Sequence, residues 1–205
     1  MTTIYLINNG LTMNNLMFDS SEPLKNKREK RILSIEGEHE SELLCNLPYL
    51  EKINLIYSSN YVMSIGTAKY LAKKQGIEIN ITKEIGERVL GELGTKKIRM
   101  VSEMQENDFN YKLSGGESLN NVKTRMLNFL NKVLKEDEDK NIAIFTHNVA
   151  ITSLLSEYCE KGFNLDNRLI LNYHNRAIID GAWDGITIIE LTFDSEELVD
   201  IIRKK

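Results

Sequence analysis

Three short stretches carry side chains able to do chemistry: Asn8-Asn9-Gly10-Leu11-Thr12, Glu87-Arg88 and His147-Asn148. A histidine can exchange a proton near neutral pH, a carboxyl can hold the complementary proton, and a guanidinium grips oxyanions. Taken singly, each stretch is bland. A Glu-Arg pair in a loop ordinarily decorates a surface, and a lone histidine at a strand end is ordinarily structural. Their placement changes that reading. Ile4-Tyr5-Leu6-Ile7 and Asn141-Ile142-Ala143-Ile144-Phe145-Thr146 both read as buried strands, the first covered on both faces as in a parallel sheet. Asn9 follows the first strand and His147 ends the second, so both belong to the sheet edge where ligands of open α/β folds bind. Gly10 lets the backbone turn and approach a ligand closely.

Other elements must position these residues. Ser34 reads as the N-cap of a helix running to about residue 46, with acidic residues in its first turn. Asn54 to Ser59 is a second buried strand, followed by a helix with Val62, Ile65, Ala68 and Leu71 on one face. Ile77 to Ile81 alternates as a short third strand, and Lys96 to Glu106 reads as a charged, Met-containing, lid-like helix. Ser114 or Glu117 begins a helix whose Leu119, Val122, Met126, Phe129, Leu130 and Val133 repeat at core spacing. Another helix follows Asn148. Ile186 to Leu191 is a last strand, with a short amphipathic helix from Ser195. The basic run from Lys25 to Arg31 reads as a solvated loop; the sharper alternative is that it supplies cations to the pocket mouth. His39 and His174 read as surface residues.

The blocks resemble the histidine phosphatase (phosphoglycerate mutase-like) superfamily along nearly the whole chain. That family opens on Arg-His-Gly-Glu/Gln-Thr/Ser with an Asn three residues later; here the positions hold Asn8-Asn9-Gly10-Leu11-Thr12 and Asn15. Leu33-Ser34-Ile35-Glu36-Gly37 matches Leu-Thr/Ser-x-x-Gly. Ser58-Ser59 and Thr67-Ala68 match the ends of Ser-Ser-Pro-x-x-Arg-Ala-x-x-Thr-Ala, with Met63 at its arginine. Glu87 to Gly91 matches the Glu-x-x-x-Gly of the general acid, and Arg88 resembles the arginine that follows it in mutase-type members. Gly115-Gly116-Glu117-Ser118, His147 and Asp184-Gly185 complete the set. The resemblance implies a three-layer α/β/α sandwich on a mostly parallel sheet, one domain over residues 1–205. It implies a site of Glu87 and His147, with Asn9 at the nucleophile's position and Asn8, Gly10, Thr12, Asn15, Met63, Arg88 and Asn148 around it. Glu87 beside His147 leads to an expected raised imidazole pKa and an electrically near-neutral pocket.

The family's nucleophile is a neutral imidazole, and its two arginines grip a phosphoryl group. Asn9, Asn8 and Met63 stand in those places. The amide nitrogen of Asn9 cannot attack phosphorus, because its lone pair is delocalised into the carbonyl. The leading expectation is therefore a catalytically impaired member, a pseudoenzyme, that binds a small molecule, phosphorylated or not, or a protein partner. The alternative is an active phosphomonoesterase with a rewired site, drawing on Glu87, His147 and cations from the basic run. A third reading is a structural subunit with an idle pocket. Restoring Arg, His and Arg at positions 8, 9 and 63 would, on this resemblance, return phosphatase activity.

Composition bounds these readings. With 205 residues, 41% of them hydrophobic, the chain can bury one good-sized core. Thirty acidic against 26 basic residues give a formal charge of −4, which argues against a nucleic-acid surface. Cys45 and Cys159 stand far from any metal-like cluster and fit a reducing cytoplasm; no metal or cofactor is expected. No apolar run reaches membrane-spanning length, and no basic-then-apolar leader opens the chain.

Overall fold

The computed structural model describes residues 1–13 and 22–204. In chain order the elements are β1 (Thr2–Asn8), α1 (Leu24–Glu29), α2 (Ile35–Leu44), β2 (Leu55–Ser59), α3 (Val62–Gln75), β3 (Ile79–Thr82), α4 (Ile98–Asn107) and α5 (Leu119–Glu136). There follow β4 (Asn141–Thr146), α6 (Asn148–Leu155), β5 (Glu160–Phe163), β6 (Leu169–Tyr173), β7 (Arg176–Ile179), β8 (Ile188–Asp194) and β9 (Glu197–Lys204). The main sheet has the order β3-β2-β4-β1-β8-β9. Its first four strands pair in parallel, and β8 and β9 are added antiparallel. β5, β6 and β7 form a separate antiparallel sheet.

Helices cover both faces, as the apolar pattern of β1 requires. Ile4 and Leu6 pack with α5 and α6 on one side; Tyr5 and Ile7 pack with α2 and α3 on the other. Alternate residues of a strand face opposite ways, so four consecutive apolar residues serve two cores. The fold is thus the mostly parallel α/β/α arrangement read from the sequence. Among the described residues no helix is long and apolar enough to cross a membrane.

Three readings of elements are corrected. The segment from Ser195 is a strand, not a helix: Ser195 takes a left-handed φ of 53°, and Asp194 pairs with Glu197 across the turn. The unpaired edge of β8 offers β9 a hydrogen-bond ladder, which overrides weak local helix preference. The long helix is capped by Ser118, whose hydroxyl accepts from Asn121 N while the Asn121 side chain accepts from Ser118 N, rather than by Ser114 or Glu117. The basic run is not a loop but carries α1, followed by Lys30 and Arg31.

Candidate functional site

Two parallel strands, β1 and β4, end side by side, and the site starts there. Asn8, the last residue of β1, is paired with Thr146 of β4 and is 2% exposed. Its side chain ties three segments together. The amide nitrogen donates to Asn148 Oδ1 at 2.8 Å and to Gly185 O at 3.1 Å, while Oδ1 accepts from Thr187 N at 2.5 Å. A buried amide must be satisfied, and this one is, by protein alone.

Asn9 is joined to His147. Its own amide nitrogen donates to Gly10 O at 2.9 Å, which orients the group and leaves Oδ1 to accept from His147 Nδ1 at 3.0 Å. Nδ1 therefore carries the proton, and Nε2 accepts from the Ser59 hydroxyl at 2.8 Å. Tyr61 packs edge-on against the ring, with centroids 4.5 Å apart. Both ring nitrogens are engaged inside the protein, and His147 is 1% exposed.

Burial pushes the His147 pKa down from 6.5 to about 4. Glu87 acts upward, but desolvation outweighs it, and Arg28 and Arg125 add to the downward push. The expected raised pKa is thus corrected: the ring is farther from water than a charged form tolerates.

Glu87 and Arg88 diverge. The Glu87 carboxylate accepts from Arg88 N at 2.8 Å and stands 3.9 Å from the Arg28 guanidinium. Arg28 also donates to Arg88 O at 2.9 Å. The Arg88 guanidinium turns away to Gln105 and Ser102 of α4, and its buried Nε has no partner among the described residues.

A cavity of about 240 Å³ opens beyond the strand ends, lined by Asn8, Asn9, Gly10, Leu11, Thr12, Arg28, Arg31, Met63, Glu87, Asn148, Trp183 and Gly185. It gathers seven of the residues singled out from the sequence: Asn8, Asn9, Gly10, Thr12, Met63, Glu87 and Asn148. Two others stand off this lining: His147 lies behind the wall, bonded to Asn9, and the Arg88 guanidinium points into the layer beneath α4. Asn15 lies outside the described residues.

Arg28 and Arg31 bring two guanidinium groups to a cavity whose described lining holds one carboxylate, Glu87. The near-neutral pocket expected from sequence is therefore corrected, for the described lining, to a net positive one, because the basic run folds over the opening through α1 and the residues after it. The signal was the run itself, whose sharper reading is a supply of cations to the pocket mouth. Trp183 carried no sequence signal beyond its place before Asp184-Gly185.

Arrangement and comparison agree on the class. Residues 27–193 match the model of the histidine phosphatase superfamily (branch 1), and the chain belongs to that superfamily. Similar solved structures include mycobacterial glucosyl-3-phosphoglycerate phosphatase, 15% identical with a TM-score of 0.67, covering 98% of this chain and 96% of the other. The alpha-ribazole phosphatase of Shigella flexneri is 15% identical with a TM-score of 0.65, covering 96% and 93%. YhfR of Bacillus stearothermophilus is 20% identical with a TM-score of 0.66, covering 97% and 95%. At these identities the likeness speaks for the fold. No functionally curated protein matches the chain.

Proposed function

We propose that this chain is a catalytically impaired member of its superfamily, a pseudoenzyme that binds a small phosphorylated molecule in the cavity without turning it over. The observation that carries this reading is the closed circuit Gly10–Asn9–His147–Ser59. An amide stands where the resemblance implies the nucleophile, and the retained imidazole spends both nitrogens holding protein groups. Losing the nucleophile of a unit that acts together costs on the order of a millionfold in rate. Phosphomonoester hydrolysis without catalysis is among the slowest reactions known, so positioning alone supplies no useful rate. The similar structures named for phosphatases, one of them a complex with inorganic phosphate, support a phosphorylated ligand. Two free, buried cysteines suit the cytoplasmic setting inferred from sequence.

An aryl phosphate assay from mildly acidic to neutral pH tests the reading, and no rate above buffer is expected. A rate abolished by Glu87→Gln overturns it in favour of a phosphomonoesterase with a rewired site. Arg28 and Arg31 are the observation that favours that second reading, since they supply the cations such an enzyme needs.

A further inference from the structure

The positive charge at this cavity comes from an unexpected direction. The positions that face it from β1 and α3 are the neutral Asn8 and Met63, and the Asn8 amide is fully engaged in protein hydrogen bonds. Arg28 and Arg31 come instead from α1 and the residues just after it. Arg28 is anchored to Arg88 O at 2.9 Å, which sets its guanidinium at the wall, and its one carboxylate partner among the described residues, Glu87, stands off at 3.9 Å. That separation is too long for a hydrogen bond, so the pair is loose. The Arg31 guanidinium has neither a hydrogen bond nor an ion pair among the described residues. Asn148 adds a neutral donor: its Oδ1 is taken by Asn8, so its two N–H bonds are left without a partner among the described residues.

We propose that Arg28 and Arg31 form the anion grip of this cavity, and that the phosphoryl group of a small phosphomonoester displaces Glu87 from Arg28 when it binds. This rests on the reading of the cavity as a ligand site and assigns its recognition chemistry. Two planar guanidiniums match a tetrahedral oxyanion with paired, charge-assisted hydrogen bonds. Glu87 then acts as an internal counter-ion: it offsets part of the Arg28 charge in the empty site and opposes the incoming dianion by like-charge repulsion. The cavity has room beside the anion for a compact organic group against Trp183 and Met63.

Calorimetry with inorganic phosphate, phenyl phosphate and phenol tests this on the full chain, with folding of each variant checked by circular dichroism. Saturable binding of both phosphates and none of phenol is expected, with phenyl phosphate the tighter. Phosphate binding alone, without gain from the ester, would overturn the assignment to a phosphomonoester. Arg31→Ala should weaken binding about tenfold or more, the worth of a lost charge-assisted hydrogen bond, and Arg31→Lys should recover part of it. Glu87→Gln should tighten binding severalfold. No saturable phosphate binding, or binding indifferent to both Arg28→Ala and Arg31→Ala, would overturn the grip; weaker binding by Glu87→Gln would show that Glu87 contacts the ligand and would overturn its displacement. Turnover measured on the same samples would overturn the non-catalytic reading and leave the grip standing.

Discussion

His147 enters the fold as a neutral ring. In the unfolded chain it takes a proton near its ordinary value of 6.5, whereas the folded chain withholds one until about 4. Between those values the unfolded state binds more protons, so stability falls as pH drops through the window and levels off below it. A shift of that size corresponds to about 3 kcal/mol. Urea unfolding across this range checks it: His147→Gln should flatten the dependence, and an unchanged slope would place the acid-sensitive group elsewhere. The same crowding bears on Asn8→Arg, Asn9→His and Met63→Arg combined. An arginine at position 8 must abandon Thr187, Gly185 and Asn148, and the cavity would then hold four guanidiniums against Glu87. The triple variant is expected to show no phosphohistidine and no aryl phosphate turnover, contrary to the expectation from sequence. The lining positions Asn9 and Asn148 were legible because apolar runs mark strand ends, whereas Glu87 was placed only by the resemblance to the family's Glu-x-x-x-Gly stretch. The burial of His147 was not legible, since it depends on Ser59 and Tyr61 arriving from β2 and the turn beyond it. For Arg28 and Arg31 the sequence left two readings open, because a basic run reads alike whether it is solvated or folded over a cavity.

At the scale of elements, the loop after β1 is pressed against α2. A Cβ built on Gly37 would lie 2.1 Å from Leu11 O, and one on Gly10 would lie 2.9 Å from Gly37 O. Gly37 sits inside α2, where helix propensity alone favours alanine by about 1 kcal/mol. The contact reverses that sign. Gly37→Ala should destabilise the protein by about 3 kcal/mol or more and disturb phosphate binding, because the loop that lines the cavity must move. Thermal unfolding that is unchanged or raised would show that the loop yields freely. The Ser34 cap, whose hydroxyl accepts from Gly37 N at 3.1 Å, was readable from residue type and spacing. β9 and the sheet of β5 to β7 were not, since their pairing is set by partners that a local pattern does not contain. The β6–β7 turn in particular rests on left-handed His174 and Asn175, with φ of 46° and 64°.

Over the whole molecule, the central sheet divides two apolar cores, and β1 contributes to both. Leu6 is fully buried in the core beneath α5 and α6, so Leu6→Ala should cost 2–5 kcal/mol in chemical unfolding. The exposed Val62, by contrast, should tolerate Val62→Ala with little change. The sheet order carries a consequence for how the chain is made. β1 is translated long before its neighbours β4 and β8, which begin at Asn141 and Ile188. At ordinary elongation speeds the interval before β4 appears is on the order of ten seconds. Throughout it, Ile4 to Ile7 form a bare apolar segment with both hydrogen-bonding edges open. A nascent chain therefore carries this sticky strand unpaired until β4 has been translated, an interval in which exposed apolar segments and open strand edges are prone to aggregate.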